Sequence, residues 1–516
     1  MDQTRTESTR RLAKNTLFLY FRSFFCLVLS IYSSRLFLHA LGVDDYGINN
    51  VVAGFASMFT LVTGSLSSSI SRFLTYEQGT GDRVRQKQVF SISVTLMIGF
   101  SVIIMLLALS VGDWYMQTKM SVPPGRETAA KWAFYCAIIS VITSLLATPY
   151  NAAIVSHERM GFYAFVNILE AILRLGLALY LTFGSYSVDR LILYTTIWTL
   201  CSILLRLLAA IYARCCFQEC RFRLYLEKNL FRSMFSFAGW NFLSNASGTI
   251  SGQGTNLLIN HYYGPAVNAA RGLSDTVYSA VSMFVNNFTV ALSPQITKAY
   301  ATGDNSYTKY LVFKGSRFAY YVLFLFSLPL ILEARFVFTL WLGEVPEHTI
   351  NFNRLALIAN LLVVGYSVFT YAQYASGDIR NFNIVMSIIT LLILPASWFL
   401  LRNSPHPEMI YCASIAAVIC NIVVTHYFVS RTLKYRFKEV FKGVYLPEIK
   451  VTAYASILPL LATLLLPYGW LRFLISGSLC VLCTVPSVLF IGCDRNERLF
   501  ILAAARRFIS RFKPNA

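Results

Sequence analysis

Several charged side chains lie inside stretches of the sequence that are otherwise apolar. They are Arg22, Arg35, Glu170, Arg174, Arg271 and Asp275. A charge at the centre of a bilayer costs about 2.5–3.5 kcal/mol on insertion scales, so it usually faces a partner or a water-filled cavity. These six residues are therefore the first candidates for binding a polar or charged solute within a membrane.

The spacing of these charges leaves two interpretations open. Glu170 precedes Arg174 by four residues, and Arg271 precedes Asp275 by the same interval, which places each pair one helical turn apart. Each pair either neutralises itself within its helix or lines a cavity. Single arginines near the ends of a stretch, such as Arg35, either snorkel to the headgroups or face a cavity, and Arg206 is expected to snorkel.

Amide side chains form a second candidate set. Asn241 and Asn245 lie four residues apart in the seventh apolar stretch, and Asn286 continues the polar stripe that begins at Arg271 in the eighth. Small residues on such stripes favour close helix packing. A stripe that combines arginine, aspartate and asparagine favours a hydrated wall instead. Glu170 and Asp275 are also the candidates for binding a coupling cation.

The composition indicates the elements that must position these residues. Of 516 residues, 56% are hydrophobic and 13% are charged, about half the share in soluble domains. About 20 helical residues cross a bilayer, and apolar runs of that length predict an all-α polytopic membrane protein with fourteen spans. These spans lie near residues 15–38, 46–73, 89–111, 129–154, 160–183, 189–213, 233–260, 266–293, 311–333, 353–376, 381–401, 409–430, 450–467 and 471–492.

The distribution of positive charge predicts the orientation of these spans. With the N-terminus inside, cytosolic segments hold 31 Lys and Arg residues and external loops hold eight. This split predicts cytosolic termini. It also explains the net charge of +20 without nucleic acid as a partner. The cysteines lack the spacing of a metal site, and neither a metal nor a cofactor is predicted.

An internal repeat divides the chain into two halves. Residues 39–82 align without a gap with residues 261–304, and residues 156–162 parallel 376–382, at offsets of 222 and 220. The nearly constant offset predicts two parallel six-helix lobes followed by two additional helices. The predicted segments are a basic N-terminus at 1–14, an N-lobe at 15–213, a linker at 214–232, a C-lobe at 233–430, an interfacial amphipathic segment at 431–449, the additional helices at 450–492 and a basic tail at 493–516.

Two short motifs resemble a known family. The opening residues Lys-Asn-Thr-Leu at 14–17 lead to Tyr20 and Arg22, and the outer turn at 41–47 reads Leu-Gly-Val-Asp-Asp-Tyr-Gly. Both resemble the polysaccharide flippase branch of the multidrug/oligosaccharidyl-lipid/polysaccharide superfamily, abbreviated MOP. The resemblance implies a V-shaped pair of lobes, like that of multidrug and toxic compound extrusion (MATE) transporters, that opens alternately to either side of a bacterial inner membrane.

The resemblance also implies a function and its partners. It implies flipping of an undecaprenyl-pyrophosphate-linked oligosaccharide for assembly of O-antigen, capsule or exopolysaccharide, with cavity arginines holding the diphosphate. Arg22 and Arg271 lie on suitable helices for that role. Membrane lipids, a coupling Na⁺ or H⁺ ion and polysaccharide assembly enzymes are the implied partners. On this reading the protein is not an enzyme.

Two alternatives stay open at this point. A cation-coupled multidrug exporter of the same superfamily would need acidic cavity residues, and here Glu170 and Asp275 each have an arginine four residues away. A membrane glycosyltransferase or polysaccharide polymerase would use an acidic pair such as Asp44 and Asp45. A turn before a helix explains that pair more simply.

Overall fold

The structure is a computed structural model that describes most of the chain as helices and turns. It covers residues 59–112, 114, 125–184, 188–223, 225, 227–495 and 497–499, with short helical stretches at 18–23, 25–26, 29, 32–33, 36–37, 39–42, 45, 48–49 and 52. No strand occurs within these ranges. The predicted all-α fold is therefore confirmed.

Internal contacts divide the chain into two compact units. Unit 1 comprises Met1–Ala246, Val290–Asp304 and Gly377–Asn383, and unit 2 comprises Ser247–Thr289, Asn305–Ser376 and Ile384–Ala516.

Unit 1 is built on five complete helices. They are α1 (Thr60–Thr80), α2 (Arg83–Leu107), α3 (Glu127–Ser156), α4 (Met160–Phe183) and α5 (Arg190–Cys216). Gly81 ends α1 with a φ of 81°, a value that glycine adopts without strain. Asp82 then caps α2, because its carboxylate accepts a hydrogen bond from the backbone N–H of Arg85 at 2.9 Å.

A long helix, α6 (Lys228–Ala301), has its two ends in unit 1 and its middle in unit 2. It is interrupted at Gly264, where φ is 82° and ψ is 178°. Only glycine adopts such angles readily, so the break is encoded locally.

Unit 2 contains almost all of the remaining helices. They are α7 (Asn305–Leu332), α8 (Ala334–Leu342), α9 (Thr349–Ser376), α10 (Arg380–Arg402), α11 (Ile410–Leu433), α12 (Phe437–Leu465) and α13 (Trp470–Gly492). The first residues of α10 belong to unit 1. Lys434, with a φ of 52°, ends α11, and α12 begins three residues later. The segment at 431–449 thus forms the end of α11, a turn and the first turns of α12, while its interfacial location stays a prediction.

Each unit has its own apolar core. In unit 1, Phe90 on α2 packs against Tyr150 on α3 with ring centroids 5.2 Å apart, and Phe90 is fully buried. In unit 2, Phe352 on α9 packs against Tyr411 on α11 at 5.9 Å. Bulky side chains in these cores fix the rotation of each helix and hence the direction of its polar face.

Ten of the described helices are long and apolar enough to cross a bilayer: α2–α5, α7 and α9–α13. The first predicted span lies largely outside the described residues. The second overlaps α1, which extends beyond it to Thr80, and the seventh and eighth lie in α6 on either side of Gly264. These helices carry the polar stripes. The chain is a multi-pass membrane protein, and the count of fourteen spans stays a prediction.

The repeat recurs in the backbone. Gly42 and Gly264, 222 residues apart, have φ values of 81° and 82°, and Gly81 and Gly303, at the same interval, have φ values of 81° and 75°. Helices α2 and α7 begin at residues 83 and 305, and α4 and α10 begin at 160 and 380. The sequence identities therefore mark equivalent turns and equivalent helix starts.

The two C-terminal helices belong to unit 2 and are held there by ion pairs at the two ends of α13. At one end, Arg472 lies 2.9 Å from Glu333, at the turn between α7 and α8. At the other end, Arg317 on α7 lies 2.9 Å from Glu497 and donates to the backbone oxygen of Gly492 at 3.2 Å. Helix α13 is thus attached to α7 and to the turn that follows it.

Candidate functional site

A polar cavity of about 280 Å³ lies inside unit 1, between α3, α4 and α5. Its lining is Ser144, Asn151, Ile154, Phe162, Tyr163, Val166, Asn167, Glu170, Ser202, Leu205, Arg206 and Ala209. The three helices are candidate membrane spans. One carboxylate, one guanidinium, two amides and several hydroxyls therefore line a single space within the span of a bilayer. Polar groups at this depth indicate that the cavity holds a polar solute or water.

Glu170 lines this cavity and does not pair with Arg174. The intrahelical pair that the spacing permits does not form, since no contact within 4.0 Å joins the two side chains. Arg174 is exposed, and its guanidinium lies 5.9 Å from the ring centroid of Phe37 and 5.8 Å from that of Trp198. One helical turn thus separates an acid inside the cavity from a base outside it.

Arg206 is the base that faces the cavity. Its guanidinium donates a hydrogen bond to the hydroxyl of Thr143 at 2.8 Å and lines the same space as Glu170. Arg206 thus faces the cavity, while the expectation that it snorkels to the headgroups stays a prediction. Its position could not be read from α5 alone, because it depends on how α5 rotates against α3.

The first helix brings Arg22 to the edge of the cavity. The guanidinium of Arg22 lies 5.4 Å from the ring centroid of Tyr163, which lines the cavity. The thiol of Cys26 lies 3.6 Å from the backbone oxygen of Asn167, another lining residue. Arg22 thus lies beside the cavity that Glu170 lines, whereas Arg35 lies outside the described residues.

The amides of the seventh span take part in packing within unit 1. Asn241 is 4% exposed. Asn245 donates a hydrogen bond to the hydroxyl of Ser65 on α1 at 3.1 Å. These contacts tie the first part of α6 to α1, and neither residue lines the cavity.

Arg271 and Asp275 approach each other within unit 2. The Nε atom of Arg271 lies 3.9 Å from a carboxylate oxygen of Asp275. The Arg271 side chain is 13% exposed and that of Asp275 is 45% exposed. Nε and one terminal nitrogen of Arg271 are buried without a hydrogen-bond partner in the described structure, while Tyr411 lies beside the guanidinium. These two nitrogens of Arg271 can therefore donate hydrogen bonds to a further anionic or polar partner.

The polar stripe of the eighth span is partly anchored. Ser282 accepts a hydrogen bond from the Asn360 side chain on α9 at 2.9 Å. Asn286, one turn further on, is exposed. The stripe therefore serves helix packing at one position and offers a free amide at the next.

The acidic pair considered for a glycosyltransferase has a structural role at Asp45. Its carboxylate is 8% exposed and accepts a hydrogen bond from Nε of Arg126 at 2.8 Å, and the same arginine binds Asp189. Asp44 lies outside the described residues. Across the described ranges, no group of three or more His, Cys, Asp or Glu side chains is arranged to hold a metal.

Comparison with known proteins identifies the family of the chain. The sequence profile of the family described as polysaccharide biosynthesis protein matches residues 12–300, more than half of the chain. The chain belongs to this family. No curated protein gives a significant match. The resemblance noted from the motifs at 14–17 and 41–47 is thereby confirmed.

Solved structures of MATE transporters share the fold. One of MATE in the straight conformation has a TM-score of 0.70 at 12% identity, covering 83% of this chain and 97% of that chain. An outward-facing multidrug resistance MATE family transporter of the MOP superfamily gives 0.66 at 12%, covering 82% and 97%. The MATE transporter ClbM in complex with Rb⁺ gives 0.68 at 12%, covering 83% and 96%. Family and fold together place this protein in the MOP superfamily.

Proposed function

We propose that this protein flips an undecaprenyl-pyrophosphate-linked oligosaccharide from the cytosolic to the outer leaflet of a bacterial inner membrane, for O-antigen, capsule or exopolysaccharide assembly. The observation that carries the proposal is the polar cavity between α3, α4 and α5, in a chain of the polysaccharide biosynthesis protein family. A cavity of this kind offers polar groups hydrogen-bond partners within the span of a bilayer.

Arginines supply the chemistry that a diphosphate needs. A guanidinium presents paired N–H donors that match phosphate oxygens and keeps its charge at every physiological pH. Arg206 lines the cavity and Arg22 lies at its edge, against Tyr163. Arg271 in unit 2 keeps two buried nitrogens without hydrogen-bond partners among the described residues. In this proposal these three arginines bind the diphosphate at successive stages of transport, with Asp275 holding Arg271 between cycles.

Amide and hydroxyl groups suit the glycan. Asn151, Asn167 and Ser202 line the cavity and can exchange hydrogen bonds with sugar hydroxyls. The polyprenyl tail stays in the lipid, since the energetic obstacle to transport lies in the charged head and the sugars. Membrane lipids and polysaccharide assembly enzymes are the expected partners.

Glu170 is the proposed coupling residue. It is the acid of the cavity, and it makes no ion pair among the described residues. A carboxylate in this position can bind Na⁺ or H⁺, and the relative solved with Rb⁺ supports a cation-binding role in this fold. Glu170 is also the observation that favours the second candidate function, cation-coupled drug export.

The experiment that tests the proposal compares cells with and without the protein. Lipid-linked oligosaccharides are extracted, and the fraction in the cytosolic leaflet of membrane vesicles is measured by protection from an added glycosidase. Loss of the protein should trap the oligosaccharide on the cytosolic side without changing drug susceptibility. Unchanged leaflet distribution together with increased drug sensitivity would replace flipping by drug export.

A further inference from the structure

Unit 1 contains a second, larger cleft, separate from the polar cavity. It measures about 520 Å³. Its lining is Gln78, Gly81, Arg83, Gln86, Lys87, His157, Arg159, Cys216, Phe217, Gln218 and Glu219. These residues come from the turn between α1 and α2, the turn between α3 and α4, and the chain just after α5. The charge distribution of the sequence predicts that all three segments face the cytosol.

Three cations in this lining form no ion pair among the described residues. Arg83, Lys87 and Arg159 are exposed, and none of them forms an ion pair or a side-chain hydrogen bond in the described structure. Arg85, on the same helix, shows the contrast, because it lies 2.7 Å from Glu227 and does not line the cleft. The cleft therefore brings three cations without ion pairs around one concave space.

The single carboxylate of the lining is already engaged. Glu219 is bound by Nε2 of His157, whose ring stacks on Phe217 with centroids 4.0 Å apart, and Gln78 lies 2.8 Å from Nδ1 of the same ring. Burial works to raise the pKa of Glu219, but the hydrogen bond from His157 and the nearby charges of His157 and Lys87 outweigh it, so this pKa lies below its ordinary value. The three cations of the lining thus outnumber its one carboxylate.

We infer that this cleft is a binding site for a phosphate or diphosphate group. Three cations around one concave space suit a group that carries two or more negative charges and several acceptor oxygens. The same chemistry has two sources at this position: the headgroup of a lipid in the adjoining leaflet, or a phosphate compound free in solution. The inference does not depend on the transported substrate, since the cleft lies outside the polar cavity.

Cys216 provides the readout for the test. It lines the cleft and is exposed, so a bound anion should slow its alkylation by a maleimide. The experiment uses the full chain in detergent with the other exposed cysteines, Cys215, Cys412 and Cys420, replaced by serine. Titration with inorganic pyrophosphate should give a saturable decrease in the alkylation rate at constant ionic strength.

Charge variants separate a site from general electrostatic attraction. Lys87→Ala and Arg159→Ala should each weaken pyrophosphate binding by roughly fivefold, the upper range for a partly screened ionic contact. Lys438→Ala, which removes an exposed cation of α12 that does not line the cleft, should leave binding unchanged.

Gln218 is exposed and lines the cleft, so Gln218→Glu should weaken binding and Gln218→Lys should strengthen it. Because both Gln218 variants change an exposed side chain, the protein should fold in each case.

Nanodiscs distinguish the two sources of the ligand. If the occupant is a lipid headgroup, nanodiscs containing phosphatidylglycerol should protect Cys216 without added pyrophosphate, and nanodiscs of phosphatidylcholine alone should not. If the occupant is a soluble phosphate, protection should require added pyrophosphate in both lipids. No protection under any of these conditions, or equal losses in Lys87→Ala and Lys438→Ala, would overturn the inference.

Discussion

The carboxylate of Glu333 accepts a hydrogen bond from the guanidinium of Arg472 at 2.9 Å, although 139 residues separate them in sequence. Its other oxygen accepts from the hydroxyl of Ser476 at 2.9 Å, and Glu333 is 1% exposed. A buried carboxylate with partners on both oxygens depends on them, because removing one partner leaves an uncompensated charge.

Arg472→Met is therefore expected to destabilise the protein strongly, by about 3–5 kcal/mol if the Glu333 carboxylate stays buried and charged. The double variant Glu333→Gln/Arg472→Met should recover much of this loss, since the neutral amide needs no counter-charge. The thermal transition of the purified protein, followed by size-exclusion chromatography after heating, measures both. Arg335→Met, which removes a nearby exposed arginine, is the control. A double variant as unstable as Arg472→Met would contradict the buried-pair argument.

The polar cavity yields a prediction about transport with a control on the same helix. Glu170→Gln and Arg206→Ala should each lower flipping at least tenfold, because each removes a charge that lines the cavity. Arg174→Ala should retain most activity, since Arg174 lies one turn away against Phe37 and Trp198. Leaflet distribution of the lipid-linked oligosaccharide, at matched protein levels, is the measurement. Equal losses at all three positions would mean that α4 and α5 tolerate no charge change and that the cavity has no special role.

The ion cluster at Asp189 predicts a dependence of stability on pH. Burial acts to raise the pKa of Asp189, but hydrogen bonds from Arg126 and from the backbone N–H groups of Ile192 and Leu191 outweigh it, so the pKa is lowered. A lowered folded-state pKa means that the stabilisation is complete above the unfolded-state value of about 3.9 and is lost as the pH falls through the folded-state value.

The variant Asp189→Asn isolates this effect. Asparagine still caps α5 but cannot pair with Arg126, so the wild type should melt above the variant at neutral pH and lose that advantage below about pH 4. Asp189→Ala should cost roughly a further 1 kcal/mol, because it also removes the cap. A wild-type advantage that persists unchanged into strong acid would exclude the ion pair as its cause.

Any side chain at position 264 is predicted to destabilise the protein. A Cβ at this position would meet no atom within 4 Å, yet φ is +82°, so the cost is conformational and not steric. Gly264→Ala should destabilise the protein by roughly 1–3 kcal/mol, the range for a residue held in a glycine-only conformation. Gly248→Ala is the matched control, because Gly248 lies inside α6 with equally open surroundings. The thermal transitions of the two variants are the measurement. Equal stability of Gly264→Ala and Gly248→Ala would contradict the break in α6 at Gly264.

The helices and the repeat were predictable from sequence because both are local or periodic. Apolar runs of span length mark α2–α5, and paired glycines such as Gly42 and Gly264 mark equivalent turns, since only glycine adopts such angles without strain. The additional helices were also recognised. Their attachment through Arg317 and Glu497 was not, because it joins residues 180 apart that share no pattern.

The candidate site was only partly predictable for the same reason. A four-residue spacing shows that Glu170 and Arg174 can meet, but it does not show which way each side chain points. That direction follows from the rotation of α4 against α3 and α5, which large buried side chains set. Sequence reasoning thus named Glu170, which lines the cavity, and Arg22, which lies at its edge, but it did not name Arg206 as a cavity residue.

The two attachments of α13 also bear on what a shortened chain would lose. Without α12, α13 and the residues just after them, Glu333 would lose the counter-charge of Arg472, and Arg317 would lose that of Glu497. Buried charges without partners destabilise a fold strongly. The C-terminal helices are therefore a requirement of unit 2, and a variant lacking residues 434–499 is expected to fold poorly and to be degraded in cells.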